Sequence, residues 1–223
     1  MPELITSPSN PKIKRLLALQ QKSSARRESG LFVVEGQREL QHCIDAGFEI
    51  DSVFLCPDLL STPPESRTKV FEVAREVYAK ISYREGTEGV IAEVRTPERK
   101  LEDIALPERP LVVVLESVEK PGNLGAVLRS ADAAGADAVL ICDPLTDLWN
   151  PNLIRASIGA VFTVPCVACS SADAIAFLKE RDIRILTAQL QDSSLYYDCD
   201  IHIILVHDDG RGNVDILTPV CHP

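Results

Sequence analysis

Residues 111–135, LVVVLESVEKPGNLGAVLRSADAAG, constrain the fold more than any other part of the chain. Leu111 to Leu115 is a short, branched, apolar run without polar alternation, as expected for a strand buried on both faces of a parallel sheet. Glu119-Lys120-Pro121-Gly122-Asn123 reads as a turn. A helix pattern then runs from Leu124 through Ala134, with Asn123 placed to cap it. Such a helix puts Asn123 at its mouth and Arg129 and Ser130 almost two turns in. Sheets of this class bind ligands where a helix opens at the C-terminal end of a strand. The stretch lacks G-x-x-x-x-G-K-[ST] and any convincing G-x-G-x-x-G, which argues against a nucleotide-binding phosphate loop.

The chain has 223 residues, enough for one large domain or two small ones. No segment approaches the ~20 apolar residues of a membrane span. The N-terminus lacks the apolar core of a signal peptide, so a cytoplasmic protein without membrane association is expected. A net charge of −10 speaks against nucleic-acid binding. Its distribution softens that objection, because residues 1–27 carry Lys12, Lys14, Arg15, Lys22, Arg26 and Arg27 against Glu3. A basic arm on an acidic body is compatible with RNA, and a solvated first helix is the plainer alternative. The seven cysteines are an odd number, and without a signal peptide they read as reduced thiols. Cys166-Val167-Ala168-Cys169 is a lone C-x-x-C, and zinc would require two further ligands, so no metal is expected.

In chain order, residues 6–21 begin with turn formers and continue as a helix with Pro11 in its first turn, and 23–30 is a polar connector. A strand follows at Leu31–Gly36, a helix at 37–46, a strand at Phe48–Cys56, a helix at Val70–Ala79 and a strand at Glu88–Val94. Residues 1–95 therefore read as a small α/β domain. Residues 96–110, with three prolines among charges, read as a linker. Residues 111–223 form the second domain. Ala136–Cys142 is its next strand, and Cys169 to Arg181 a helix with Ala172, Ile175, Phe177 and Leu178 inward. Two more strands follow at Ile183–Ala188 and Ile201–Val206.

The segment Asn123-Leu124-Gly125-Ala126-Val127-Leu128-Arg129-Ser130 resembles the first motif of the SpoU (TrmH) family, RNA ribose 2′-O-methyltransferases of the SPOUT class. A second stretch of that family is matched by Asn150, Asn152, Arg155, Ser157, Gly159, Ala160 and Phe162, and Leu195-Tyr196-Tyr197-Asp198 is similar to its link between two strands. The first domain resembles the family's substrate-binding domain through Asn10 and its Lys-rich helix, Arg26, Arg27, Phe32-Val33-Val34-Glu35-Gly36 and Glu88-Gly89-Val90-Ile91-Ala92. The resemblance implies an α/β protein with an RNA-binding domain ahead of a SPOUT-type parallel-sheet domain of the trefoil-knot class. It implies S-adenosylmethionine as cofactor, ribosomal or transfer RNA as partner, and a homodimer. Arg129 becomes the catalytic residue, with Asn123 holding it or the ribose. Lys12, Lys14, Arg26, Arg27 and Arg155 become the RNA contacts, with structural roles open for the arginine pair and for the Asn152–Arg155 segment.

The pattern breaks after Val206. The family continues with Gly-x-Glu-x-x-Gly, and this chain has His207-Asp208-Asp209-Gly210-Arg211-Gly212. Asp209 stands at the glutamate, and Asp209, Gly210 and Gly212 are the candidate cofactor contacts. The family's Ile-Pro strand and S-L-N-V-S segment, which complete the knot, are not matched in residues 213–223. A truncated knot, a shifted reading frame and a natural loss of methyl transfer stay open. The expectation is an RNA 2′-O-ribose methyltransferase with impaired catalysis, the alternative a non-catalytic RNA-binding protein.

Overall fold

The computed structural model describes residues 3–60, 68–83 and 88–185, together with the backbone of four short strands between 187 and 220. The chain divides into two compact units, residues 1–97 with 149–154, and residues 98–148 with 155–223.

The first unit is built from β1 (Glu3–Ile5), α1 (Pro11–Gln21), α2 (Ser23–Ser29), β2 (Leu31–Glu35), α3 (Gln37–Asp45), β3 (Ile50–Leu55), β4 (Lys69–Val73), α4 (Arg75–Ile81) and β5 (Val90–Arg95). The sheet order is β1-β4-β3-β5-β2, with β5 antiparallel to both neighbours and the other pairings parallel. Alternation along the strands sorts the side chains. Leu31, Val33, Phe54 and Ile91 join Ile13, Leu16 and Leu19 of α1 and Val77, Tyr78 and Ile81 of α4 in one core. Phe32, one residue out of phase, stacks on Trp149 at 4.6 Å between ring centroids, with Phe48 edge-on at 6.1 Å. Asn10 caps α1 by accepting from the Lys12 N–H at 2.9 Å, and Pro11 occupies its first position. Two expectations fail here. The polar connector 23–30 is helix α2, ended by Gly30 at φ 64°. Residues 70–73, read as helix, belong to β4, because β1 and β3 bond it from both sides.

The second unit holds a 3₁₀ turn (Leu101–Asp103), β6 (Val112–Glu116), α5 (Pro121–Ala133), β7 (Ala138–Cys142), the end of α6 (Pro151–Ser157), α7 (Ala160–Thr163), β8 (Cys166–Cys169), α8 (Ser171–Glu180), β9 (Thr187–Ala188), β10 (Ile203–Asp208), β11 (Val214–Asp215) and β12 (Pro219–Val220). The main sheet runs β11-β10-β6-β7-β8, parallel throughout except for β11. Β-strands β9 and β12 form a separate antiparallel pair. Val112, Val114, Ala138 and Leu140 pack under Ala174, Phe177 and Leu178 of α8. Val113, Leu115, Val139 and Ile141 point to the other face and are equally buried, as the unbroken apolar run required. Ile175, expected inward on α8, is 45% exposed. Most of the expected linker belongs to this unit, and Leu101, Ile104 and Leu106 pack against its core.

Candidate active site

Helix α5 begins earlier than its periodicity suggests. Lys120 is extended, and Pro121 starts the helix with a backbone angle already suited to it. Asn123 is therefore inside the first turn, its N–H donating to the Lys120 carbonyl at 3.1 Å, and does not stand at the cap. Gly125, Arg129 and Asp132 follow at helical spacing on one face. That face meets α6 and α7. A Cβ on Gly125 would come within 2.5 Å of the Ala156 Cβ and 2.8 Å of the Ser157 nitrogen, so the two helices touch as only glycine permits. One turn on, the Arg129 guanidinium donates to the Ala156 carbonyl. Past it, the Thr163 hydroxyl donates to Asp132 at 3.2 Å.

The Ala156 carbonyl is available because α6 stops there. Ile158 at φ 53° and Gly159 at φ 90° turn the chain out of the helix before α7. A β-branched residue in the left-handed region costs on the order of 1–3 kcal/mol, which the surrounding packing must supply. Continued helix would have matched Ala156 with the Ala160 N–H; instead Arg129 takes that carbonyl, its positive charge lying at the negative end of α6. Arg129 is otherwise exposed. Among the described contacts Arg129 bonds Ala156 and Asp132 accepts from Thr163, with no ion pair between the two on their own helix.

The carboxyl edge of the main sheet lies at the mouth of α5. Ser117 (φ 53°) and Asp143 (φ 46°) leave β6 and β7 in the left-handed conformation, each N–H donating at 2.9 Å to the end of the next strand, at Cys142 and Cys169 respectively. Asp143 accepts from the Ser171 hydroxyl at 2.5 Å and its N–H at 3.1 Å, which holds its carboxyl below the usual range. The chain leaves β6 toward β7 on one side and returns as β10 on the other. The strand order therefore reverses between β6 and β10, the place where parallel sheets open a ligand crevice. Glu116 and His207 are register partners at that point. His207 pairs onward with Asp215, so β10 turns back into β11 through residues 209–213. Asp209, Gly210 and Gly212 lie in that connection, outside the described residues, as does Leu195 to Asp198.

The expected RNA contacts divide sharply. Lys14 and Arg27 are exposed, and Lys12 is half-buried, paired with Glu3 at 2.9 Å over the Phe71 ring. Arg155 is half-buried at the end of α6. Arg26 must be corrected. It is 4% exposed, and its guanidinium donates to the Leu19 carbonyl at 2.6 Å, closing the end of α1. The C-x-x-C lies on β8, where residues three apart point to opposite faces, so it cannot chelate one ion. No metal-holding group occurs among the described residues. The residues missed by sequence reasoning are Ala156 and Ile158, because a backbone carbonyl and a strained turn leave no compositional signature.

Residues 10–92 match the MRM3-like substrate binding domain, and residues 110–210 the SpoU rRNA Methylase family. A crystal structure of an RNA 2′-O ribose methyltransferase is 35% identical, with a TM-score of 0.78, covering 94% of this chain and 83% of that one. An rRNA methyltransferase from Sinorhizobium meliloti, solved with S-adenosylmethionine bound, is 26% identical with a TM-score of 0.82, covering 93% and 82%. The 23S rRNA (guanosine(2553)-2′-O)-methyltransferase RlmP of Bacillus subtilis is 25% identical over 213 residues, 93% of this chain and 83% of that protein. The chain thus belongs to the SpoU family of RNA 2′-O-ribose methyltransferases, which use S-adenosylmethionine.

Proposed function

We propose that this chain methylates a ribose 2′-hydroxyl of ribosomal RNA. The observation that carries the reading is the clasp of α5 on α6, which holds an exposed Arg129 on the helix that opens at the parallel-sheet crevice. S-adenosylmethionine supplies an electrophilic methyl group on a sulfonium. The reversal of strand order between β6 and β10 fits such a ligand, and the connection carrying Asp209, Gly210 and Gly212 would hold it.

In-line transfer requires the hydroxyl to be aligned and to lose its proton. Arg129 does not take that proton, since a guanidinium stays charged with a pKa above ~12. It stabilises the developing alkoxide and the neighbouring phosphate electrostatically. Its bond to Ala156 fixes the guanidinium plane before substrate arrives, so little reorganisation accompanies the reaction. Asn123, less than two turns earlier, orients the ribose. Lys12, Lys14 and Arg27 contact phosphates from the first unit, and Arg155 does so from the second, supplying affinity that falls with salt. We take the working form to be a cytoplasmic homodimer, as the family resemblance implies. No helix among the described residues is long and apolar enough to cross a membrane.

The test is calorimetric titration with S-adenosylmethionine, followed by transfer of labelled methyl to ribosomal RNA. Micromolar binding and label in ribose support the reading. A folded chain that binds RNA but no cofactor overturns it in favour of a non-catalytic RNA-binding protein.

A further inference from the structure

Cys142 and Cys169 end neighbouring parallel strands as register partners, β7 beside β8. Their sulfurs lie 4.0 Å apart. Paired strands sit ~4.8 Å apart, inside the ~4.4–6.8 Å range of Cα separations that a disulfide spans. Bond formation needs the sulfurs to close to ~2.05 Å. Both residues are the last of their strands, where the ladder stops and the chain can yield. The two thiols differ in access. Cys142 is 1% exposed, while Cys169 is half-buried and lines an open groove with Arg99, Lys100, Asp173 and Arg181.

We infer that Cys142 and Cys169 form an oxidisable dithiol, in which Cys169 reacts with hydrogen peroxide and Cys142 resolves the product as a disulfide. The Cys169 thiolate attacks one peroxide oxygen, breaking the O–O bond and leaving a sulfenic acid, with water released. Cys142 then attacks that sulfur, the S–S bond forms, and the sulfenic oxygen departs as a second water. The peroxide is reduced by two electrons, and the two thiols are oxidised by two.

The local chemistry favours this division of labour. Hydrogen bonding from Cys142 pulls the Cys169 thiol below its ordinary range, while that bond and burial push Cys142 up. Cys56 and Cys166 shift upward through burial, opposite to Cys169. Cys166, three residues away, faces the other side of β8, where Arg99 donates to its sulfur at 3.0 Å. Full burial, which outweighs that bond and holds its thiol up, keeps it from competing.

The native chain is treated with hydrogen peroxide, alkylated, digested with trypsin and mapped by tandem mass spectrometry. The expected product links peptide 130–155, through Cys142, to peptide 156–179, through Cys169, and is released by dithiothreitol. Cys142→Ser should lose the link and leave a sulfenic acid on Cys169 that dimedone traps. Cys169→Ser should lose the link and leave Cys142 as a thiol. Oxidation in urea should scramble the pairing. A folded chain that forms no such link, that links through Cys166, or that pairs identically in urea overturns the inference.

Discussion

Two arginines in this protein do the same thing with opposite consequences. Arg26 in the first unit and Arg129 in the second each donate to a carbonyl at the end of a helix, Leu19 of α1 and Ala156 of α6. Arg26 is 4% exposed and committed to that joint; Arg129 bonds Ala156 and is otherwise exposed. The shared device is electrostatic, since a fixed cation suits the negative end of a helix. Burial decides the rest. Where the guanidinium is enclosed, its work is structural, and where it remains open it can meet a substrate oxygen.

Removing the enclosed partner should have the larger effect on folding. Arg26→Ala leaves the buried Leu19 carbonyl without its charged donor, and about 2–3 kcal/mol of stability should be lost in urea unfolding. RNA affinity of the folded fraction should be unchanged; a folded variant with weakened RNA binding would erase the distinction from Arg129. Gly125→Ala should come next. It forces the Ala156 backbone away from α5, costing about 1–3 kcal/mol, and moves the carbonyl that holds Arg129. Methyl transfer should fall with it, more than cofactor affinity does.

Arg27→Ala should sharpen the comparison within the basic arm. Stability should change by under ~0.5 kcal/mol, while RNA binding weakens and the slope of log affinity against log salt falls by about 1. A smaller effect concerns Asp143. Its folded pKa is depressed from 3.8 by the two Ser171 hydrogen bonds, so the contact is fully present above that value and is lost as pH falls through the depressed one. Protection of the Ser171 amide relative to its intrinsic exchange rate should fall only in that acidic window, and Asp143→Asn should make that protection independent of pH across it.

The strand at 112–116 and the motif from Asn123 to Ser130 were legible because both are local: a continuous apolar run and a fixed helical spacing. The start of α5 was misplaced because Pro121 initiates a helix as readily as it ends a turn. Strand β4 was hidden because its state is set by β1 and β3, distant in sequence. Arg26 and Arg27 are adjacent and chemically identical, yet one is buried and one exposed. Only the packing of α2 against α1 separates them, and no composition reports it. The same limit hid Ala156, whose contribution is a carbonyl that any residue would supply. His207 is the inverse case, legible as a departure at a family glycine while the surrounding backbone is strand β10.

The central claim is that Arg129 stabilises charge on the ribose oxygen and is not needed for folding or cofactor binding. Single-turnover methyl transfer to ribosomal RNA by the wild type and by Arg129→Ala, with S-adenosylmethionine affinity and urea unfolding measured on both, tests it directly. The expected result is a fall in the transfer rate of about 10²–10³-fold, the cost of removing one such donor. Affinity and stability should be nearly unchanged. Equal transfer rates, or a loss of rate matched by a loss of folded protein, would contradict the claim.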